Sequence, residues 1–409
     1  MTTQVGTDAM NFFQTWADAA LTTLGYFWVA FWAFGLGYLV SAVIQLFVSR
    51  DRMRHAMGDE DLGSMSLAGF FGFISSSCSF AALATTRALF AKGAGFVPSM
   101  AFLLASTNLV IELGIVISVF LSWQFVVAEY VGGLILIVVM WGLVALWRPQ
   151  KLIENVRQSL EAGEEDEPED PADLTQSPAL WSKIAKAYLM EWQMVWKDVT
   201  VGFTIAGIIA AFVPAEFFTW LFPGTGEEGA RSFFEVLSHT VIGPIAAFFT
   251  FIGSMGNIPL AGLLFANGVS VAGIMAFIFS DLVVFPVIRV NAQFYGWKMA
   301  LYIAGLFLGA LILTALAIHY GFALLGLEPQ SAAKGMMEPS ERFKIDYTFW
   351  FNMGFLALTA AFGWLAWRGS GGHEGHDHDH GGWLDRVLFW LALLAYGWLA
   401  MGLGIYALA

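Results

Sequence analysis

Phe70-Phe71-Gly72-Phe73-Ile74-Ser75-Ser76-Ser77-Cys78-Ser79-Phe80-Ala81-Ala82 sits at the centre of residues 64–92, a segment apolar on both sides of a serine cluster. A helix rises about 1.5 Å per residue and a bilayer core is about 30 Å thick, so each arm reaches only about halfway across. The pattern predicts a broken helix or a re-entrant hairpin. Residues 236–267 do the same around Gly253-Ser254-Met255-Gly256-Asn257-Ile258-Pro259, where two glycines and a proline forbid an uninterrupted helix.

The rest of the chain has the same character. Of its 409 residues 58% are hydrophobic and 12% charged, about half the charge of an ordinary soluble domain. That composition excludes a soluble globule, a disordered chain and a collagen. The 32 acidic against 19 basic residues exclude a nucleic-acid partner. A single cysteine excludes an internal disulfide. Eight stretches are long and apolar enough to cross a bilayer: 21–47, 96–121, 125–147, 198–221, 268–288, 299–326, 347–367 and 383–408. The expected fold is an all-α polytopic membrane protein, about eight transmembrane helices plus the two interrupted hairpins. Its parts are a first half, 1–147, an acidic cytoplasmic linker, 148–197, a second half, 198–326, and a C-terminal pair of helices, 327–409.

Basic residues set the expected orientation. Arg50, Arg52 and Arg54 follow the first span, Arg148, Lys151, Arg157, Lys183, Lys186 and Lys197 fill the linker, and Arg289, Lys298, Arg368 and Arg386 mark later loops. Placing all of these in the cytoplasm puts both termini outside. The first span is preceded by Asp8 and Asp18 and by no basic residue, so it reads as a retained span and not as a signal peptide.

An internal repeat is visible. Phe70-Phe71-Gly72-Phe73-Ile74 matches Phe248-Phe249-Thr250-Phe251-Ile252, and Leu89-Phe90-Ala91-Lys92-Gly93 matches Leu264-Phe265-Ala266-Asn267-Gly268. Met-Ala-Phe follows seven residues beyond each glycine, at Met100 and Met275. Three crossings separate the hairpins, so the copies are expected to be inverted. Inverted repeats with broken helices are how many secondary transporters build a site near the midplane.

Ser76-Ser77-Cys78-Ser79-Phe80-Ala81-Ala82, Leu89 to Ala94, Phe102 and Ala105-Ser106-Thr107-Asn108-Leu109-Val110-Ile111-Glu112-Leu113-Gly114 resemble the first repeat of a large family of predicted bacterial permeases. Gly256-Asn257-Ile258-Pro259-Leu260-Ala261, Phe277-Ile278-Phe279-Ser280-Asp281-Leu282 and Tyr295-Gly296-Trp297-Lys298 resemble the second. The family includes the ArsP-type organoarsenical exporters. The resemblance covers residues 60–310 and implies a polytopic permease of the bacterial inner membrane; for the ArsP branch it implies efflux of trivalent organoarsenicals. That branch is expected to carry Cys-Ser-Cys and a downstream proline, whereas here Phe80 and Ala84 stand at those places.

The few polar residues within apolar segments are the site candidates: Cys78, Ser77, Ser79, Asn108, Glu112, Asn257, Asp281 and Arg87. An ionised carboxylate at mid-membrane costs at least about 2–3 kcal/mol unless paired or hydrated. Glu112, with Asn108 four residues earlier on the same expected helical face, reads as a proton- or cation-binding group or as an ion-pair partner of Arg87. Asp281 has the same status. Arg87 either snorkels to the cytoplasmic surface or faces an anion. Asn257 and Asn267 flank the second arm and read as helix caps. His239 is either a proton relay or a hydrogen-bonded core residue. Cys78 is a small hydrophobe or a substrate-facing thiol activated at a helix break.

His373, His376, His378 and His380 form a Gly-flanked tract with Glu374, Asp377 and Asp379. Such groups take Zn²⁺, Ni²⁺ or Cu²⁺, and no other cofactor is implied. The leading reading is a secondary permease, an exporter of a small solute or a thiol-reactive metal or metalloid compound. The competing one is a divalent-metal transporter that uses the His tract as a cytoplasmic trap. An enzyme is disfavoured, because no Gly-x-Ser-x-Gly elbow is present. No ATP-binding Gly-rich loop is present either. Homo-oligomers are compatible with all of this.

Overall fold

The computed structural model of the chain describes residues 2–47, 61–75, 79–91, 93–161, 180–225, 231–250, 255–329, 343–369 and 383–408. Ser77, Cys78, Gly253, Ser254 and the four histidines of the His tract lie outside them, as do Arg50, Arg52, Arg54 and residues 162–179 of the acidic run. All regular structure among the described residues is helical. Helices long and apolar enough to cross a membrane cover Phe12–Val40, Phe96–Phe120, Trp123–Leu146, Trp181–Phe212, Val271–Tyr295, Trp297–Leu325, Tyr347–Trp367 and Arg386–Leu408. Each falls on one of the eight expected stretches. The chain is an all-α multi-pass membrane protein.

The helices are α1 (Thr2–Phe47), α2 (Leu62–Ser75), α3 (Ser79–Ala91), α4 (Phe96–Asn108), α5 (Ile111–Phe120), α6 (Trp123–Leu146) and α7 (Gln150–Glu161). The second half brings α8 (Leu180–Phe212), α9 (Ala215–Leu221), α10 (Phe233–Thr250), α11 (Ile258–Ala266), α12 (Val271–Ile278), a 3₁₀ turn (Phe279–Val283), α13 (Phe285–Tyr295) and α14 (Trp297–Leu325). Two peripheral helices close the chain, α15 (Tyr347–Gly369) and α16 (Trp383–Leu408). Burial sorts these spans. In Phe96–Phe120 and in Val271–Tyr295, 89% of the most apolar window is buried, against 11% in Tyr347–Trp367 and 22% in Arg386–Leu408. The first two are the centre of the bundle. Exposed Trp123 and Trp147 bracket α6, and exposed Trp297 opens α14, as expected where rings settle at a membrane interface.

Both interrupted segments are helix pairs. α2 and α3 have 14 and 13 residues, too short for an upright crossing. Asp61 caps α2 by accepting the Ser64 N–H at 2.7 Å. The second arms end alike. Gly93 N–H donates to Phe90 O and Ala94 N–H to Leu89 O, at 3.3 and 3.0 Å; Gly268 N–H donates to Phe265 O and Val269 N–H to Leu264 O, at 3.0 and 3.1 Å. Both glycines have positive φ, 102° and 86°, the left-handed helix stop that glycine adopts without strain. Each stop then meets an arginine from elsewhere: Arg157 donates to Ala94 O at 2.9 Å and Arg231 to Gly268 O. The following N-caps, Gly95 and Ser270, share a backbone geometry, φ −59° and ψ 153° against φ −62° and ψ 153°.

Three features differ from the expectation. The two central crossings, expected as continuous helices, are both broken, at Leu109–Val110 between α4 and α5 and at the 3₁₀ turn between α12 and α13. Side chains before each break turn back onto their own helix. Ser106 and Thr107 donate to Leu103 O, Asn108 to Leu104 O and Ser280 to Phe277 O, satisfying polar groups that would otherwise stand in an apolar interior. The fourth crossing begins about five turns of helix earlier than the linker boundary allows: α8 starts at Leu180, buries Ile184, Ala185 and Tyr188, and stops at Phe212, before Pro214. Proline disfavours helix in the residue before it, and α9 restarts after it. Within the expected linker, α7 buries Ile153, Val156 and Leu160 on one face.

Candidate functional site at the two helix breaks

α6 is the strut that touches both central breaks. On one turn, the hydroxyl of Tyr130 lies 3.4 Å from Val110 O and 3.5 Å from Ile111 O, at the first break. Gly133 packs against Leu109 of that break, and Gly132 against Phe279 at the start of the second and against Ile318 of α14. The glycines let the strut come close enough to reach both.

Each hairpin contributes to the break of the other half. α3 packs against α13, and α11 against α5. At the first of these seams Ser79, the opening residue of α3, donates to Oδ2 of Asp281 at 3.1 Å. At the second, α1 mediates. Tyr38 donates to the sulfur of Met255 at 3.7 Å, and its neighbour Gly37 lies so near Glu112 that a Cβ at position 37 would overlap the backbone of Glu112, 2.7 Å from its Cα. Tyr38 is within electrostatic reach of Glu112, Glu191 and Asp198.

Glu129 completes the arrangement. It lies on α6 next to Tyr130, has 0% of its surface exposed, and neither carboxyl oxygen has a hydrogen-bond partner among the described residues. It lies within electrostatic reach of Asp281, and Tyr130 lies within reach of both Glu129 and Glu112. The connected set is Ser79, Asp281, Glu129, Tyr130 and Glu112, with Asn108 ending the helix beside it. Glu129 went unremarked in the sequence reading. The signal was present: it is the one ionisable acid in the 125–147 stretch, and such a residue inside a membrane helix marks function by default.

The other candidates fall elsewhere or differ in detail. Asn108 and Glu112 do not share a helical face; they flank the first break, because the helix ends at Asn108 and restarts at Ile111. Asn257 is at the N-cap position of α11 but its side chain makes no capping bond, while Asn267 donates back to Leu263 O at 2.9 Å. Arg87 is exposed and lays its guanidinium 5.1 Å from the Phe294 ring centre. His239 is a core residue pinned on both nitrogens: Nδ1 accepts the Ser270 N–H at 3.1 Å and Nε2 lies 2.8 Å from Pro223 O, which makes Nε2 the donor. No group of three or more His, Cys, Asp or Glu side chains is placed to hold a metal ion among the described residues. Ser77, Cys78 and the His tract lie outside those residues.

Comparison with known proteins agrees with this architecture. The profile of the ArsP_1 family, described as a predicted permease, matches residues 15–320. The chain belongs to this permease family. A Mycobacterium tuberculosis protein, Rv2963, whose name marks it as a candidate permease, is 34% identical over 354 residues, which is 81% of this chain and 86% of the relative. No solved structure matches the chain. The match of the permease family spans α1 to α14 up to residue 320, so both breaks, both hairpins and Glu129 lie inside it, while α15, the His tract and α16 lie beyond it.

Proposed function

We propose that the chain is a secondary permease of the bacterial inner membrane that exports a small thiol-reactive solute, through a midplane site bounded by Ser79, Asp281, Glu129, Glu112 and the two helix breaks. The observation that carries this reading is the reciprocal packing of the halves: the second arm of each hairpin opens against the broken crossing of the other half. Backbone groups freed at the two broken crossings would cost several kcal/mol each in lipid, so they belong to a polar, water-reachable interior.

The two halves are read as inverted repeats. The order hairpin, broken crossing, long crossing occurs twice, and the matching helix stops at Gly93 and Gly268 support it. Arg148, Lys151, Arg157 and Lys298 cluster at the end of the bundle where Tyr302 bonds Trp147 O; that end faces the cytoplasm by the positive-inside rule. The other end carries Arg231, Glu235 and Glu328 and faces outward. Export as the direction and a thiol-reactive solute as the cargo follow the ArsP branch that the motifs resemble.

The test is transport by everted membrane vesicles using a trivalent phenylarsenical as the probe. The wild-type chain is expected to accumulate it, and Asp281→Asn to abolish accumulation at unchanged protein level. Equal accumulation by both would contradict a site at the breaks.

A further inference from the structure

We propose that Glu129 is the proton-exchanging group that couples transport to the proton gradient, reached from the outer end through a vestibule beside Phe125 and Phe265 and from the cytoplasmic end along the seam of α3 and α13. The proposal rests on the site reading above and adds the coupling ion.

The burial of Glu129 is complete and its oxygens are unpartnered among the described residues. The elements packed most closely against α6 are α4, α5, α12 and α14, with α2, α11 and the 3₁₀ turn touching it through Gly69, Phe265 and Phe279. They bring only Glu112 of α5 and Lys298, Tyr302, His319 and Tyr320 of α14 as charged or titratable groups, with Asp281 arriving from the 3₁₀ turn. Tyr302 is engaged with Trp147 O at the far end of α6, and Lys298 is at that same end and exposed. An ionised carboxylate without a cation is costly in such surroundings. Glu129 therefore suits a carboxyl that is neutral when sealed and ionises when water reaches it.

At the outer end a cavity comes within one ring pair of the turn that carries Glu129. A cavity of about 140 Å³ is lined by Arg231, Phe265, Ser270, His319, Phe322 and Glu328, among others. It has room for several waters, each of which occupies roughly 30 Å³ in the liquid, and it is bordered by charge. Its wall residue Phe265 meets Phe125 edge-on, with ring centres 4.8 Å apart. Phe125 lies one turn before Glu129 on the same face of α6. One turn after Glu129, Gly132 packs against Ile318, the neighbour of the cavity residue His319. The ring pair thus joins the cavity wall to the turn that carries the acid.

At the other end the seam of α3 and α13 holds buried polar groups. α3 and α13 run in the same direction: Ser79 meets Asp281 near their starts, Arg87 meets Phe294 and Phe90 meets Tyr295 near their ends. On this stretch Thr86 Oγ1, Asn291 Oδ1 and the Tyr295 hydroxyl are buried with no hydrogen-bond partner among the described residues. Buried polar groups in proteins are satisfied by water when no protein partner serves. The seam is therefore a polar track suited to bound water, about 16 Å long from Ser79 to Phe90 at 1.5 Å per residue. A proton entering by the vestibule adds to the Glu129 carboxylate. It leaves through an intervening water to the Asp281 carboxylate and then to water in the seam, so charge and atoms balance with water as the only carrier.

Infrared difference spectroscopy of the full chain in lipid, on exchange from H₂O to D₂O, tests this without a transported solute. A protonated-carboxyl band is expected that shifts in D₂O, is lost in Glu129→Gln and moves in Glu129→Asp. Phe125→Ala should quicken its exchange, and Asn291→Leu should slow proton release into liposomes holding a pH-sensitive dye. A band that survives Glu129→Gln, a Glu129→Gln spectrum identical to wild type, or a band that does not exchange would overturn the proposal. The site reading fails separately, if the wild-type chain gives no accumulation of the phenylarsenical probe.

Discussion

Ser79 and Asp281 are 202 residues apart and share a hydrogen bond of 3.1 Å. It joins the first turn after one hairpin break to the 3₁₀ turn that interrupts the crossing of the opposite half. Ser79→Ala removes a donor to a mostly buried carboxylate, a cost of about 1–3 kcal/mol. A lower melting temperature in detergent, together with weakened probe accumulation, is expected. Ser79→Thr, which keeps the hydroxyl, should recover most of both.

Glycine 37 provides a packing test. Gly37→Ala would drive a methyl into the backbone of Glu112, and overpacking of a tight contact costs about 1–3 kcal/mol. Gly142→Ala, on a helix where nothing lies within 4 Å, is the control and should be neutral or mildly stabilising. Thermal melts of the two variants decide it.

The sequence made the eight crossings legible because length and hydropathy are local properties, and it made the hairpins legible because Ser75–Ser79 and Gly253–Pro259 break the apolar run. The breaks in the central crossings were not legible. Leu109-Val110 contains neither glycine nor proline, so nothing in composition marks the first break, while the second had one unread mark, Pro286 in the first turn of α13; the interruptions are held by Tyr130 and by the side chains of Ser106, Thr107, Asn108 and Ser280. The site was half legible for a related reason. Glu112 and Asp281 stand out in any reading, but that Ser79 bonds Asp281 and that Glu129 is sealed between the breaks are tertiary facts. Likewise Lys183 and Lys186 suggested a loop where α8 uses the apolar residues between them to pack.

Tyr130→Phe should loosen the first break. Its hydroxyl contacts to Val110 O and Ile111 O are long, so the expected loss is at the low end of a hydrogen bond's worth, about 0.5–1 kcal/mol. Faster amide exchange at residues 111–114, with the rest of α4 and α6 unchanged, is the expected readout.

Asp61 gives a pH dependence. Its carboxyl is held below the usual range by the Ser64 amide and hydroxyl. A folded-state value below the unfolded one contributes stability that is present above the unfolded value, about 3.9, and lost as pH falls through the folded value. Fraying of the first turn of α2 on acidification, seen by amide exchange and absent in Asp61→Asn, is expected.

Deletion of residues 373–380 should leave fold and probe accumulation intact, since the family match ends at residue 320, while reducing co-purified Zn²⁺ or Ni²⁺. Loss of all transport would favour a metal trap as the working part.

The central claim is that two inverted halves meet at one site, and the helix stops at Gly93 and Gly268 test it most directly. In a Cys78→Ala background, Lys92→Cys and Asn267→Cys are labelled in intact cells with a membrane-impermeant thiol reagent. The account predicts labelling at 267 from outside and at 92 only after the membrane is opened. Labelling of both from the same side would mean that the hairpins enter from one face, and the shared midplane site would be contradicted.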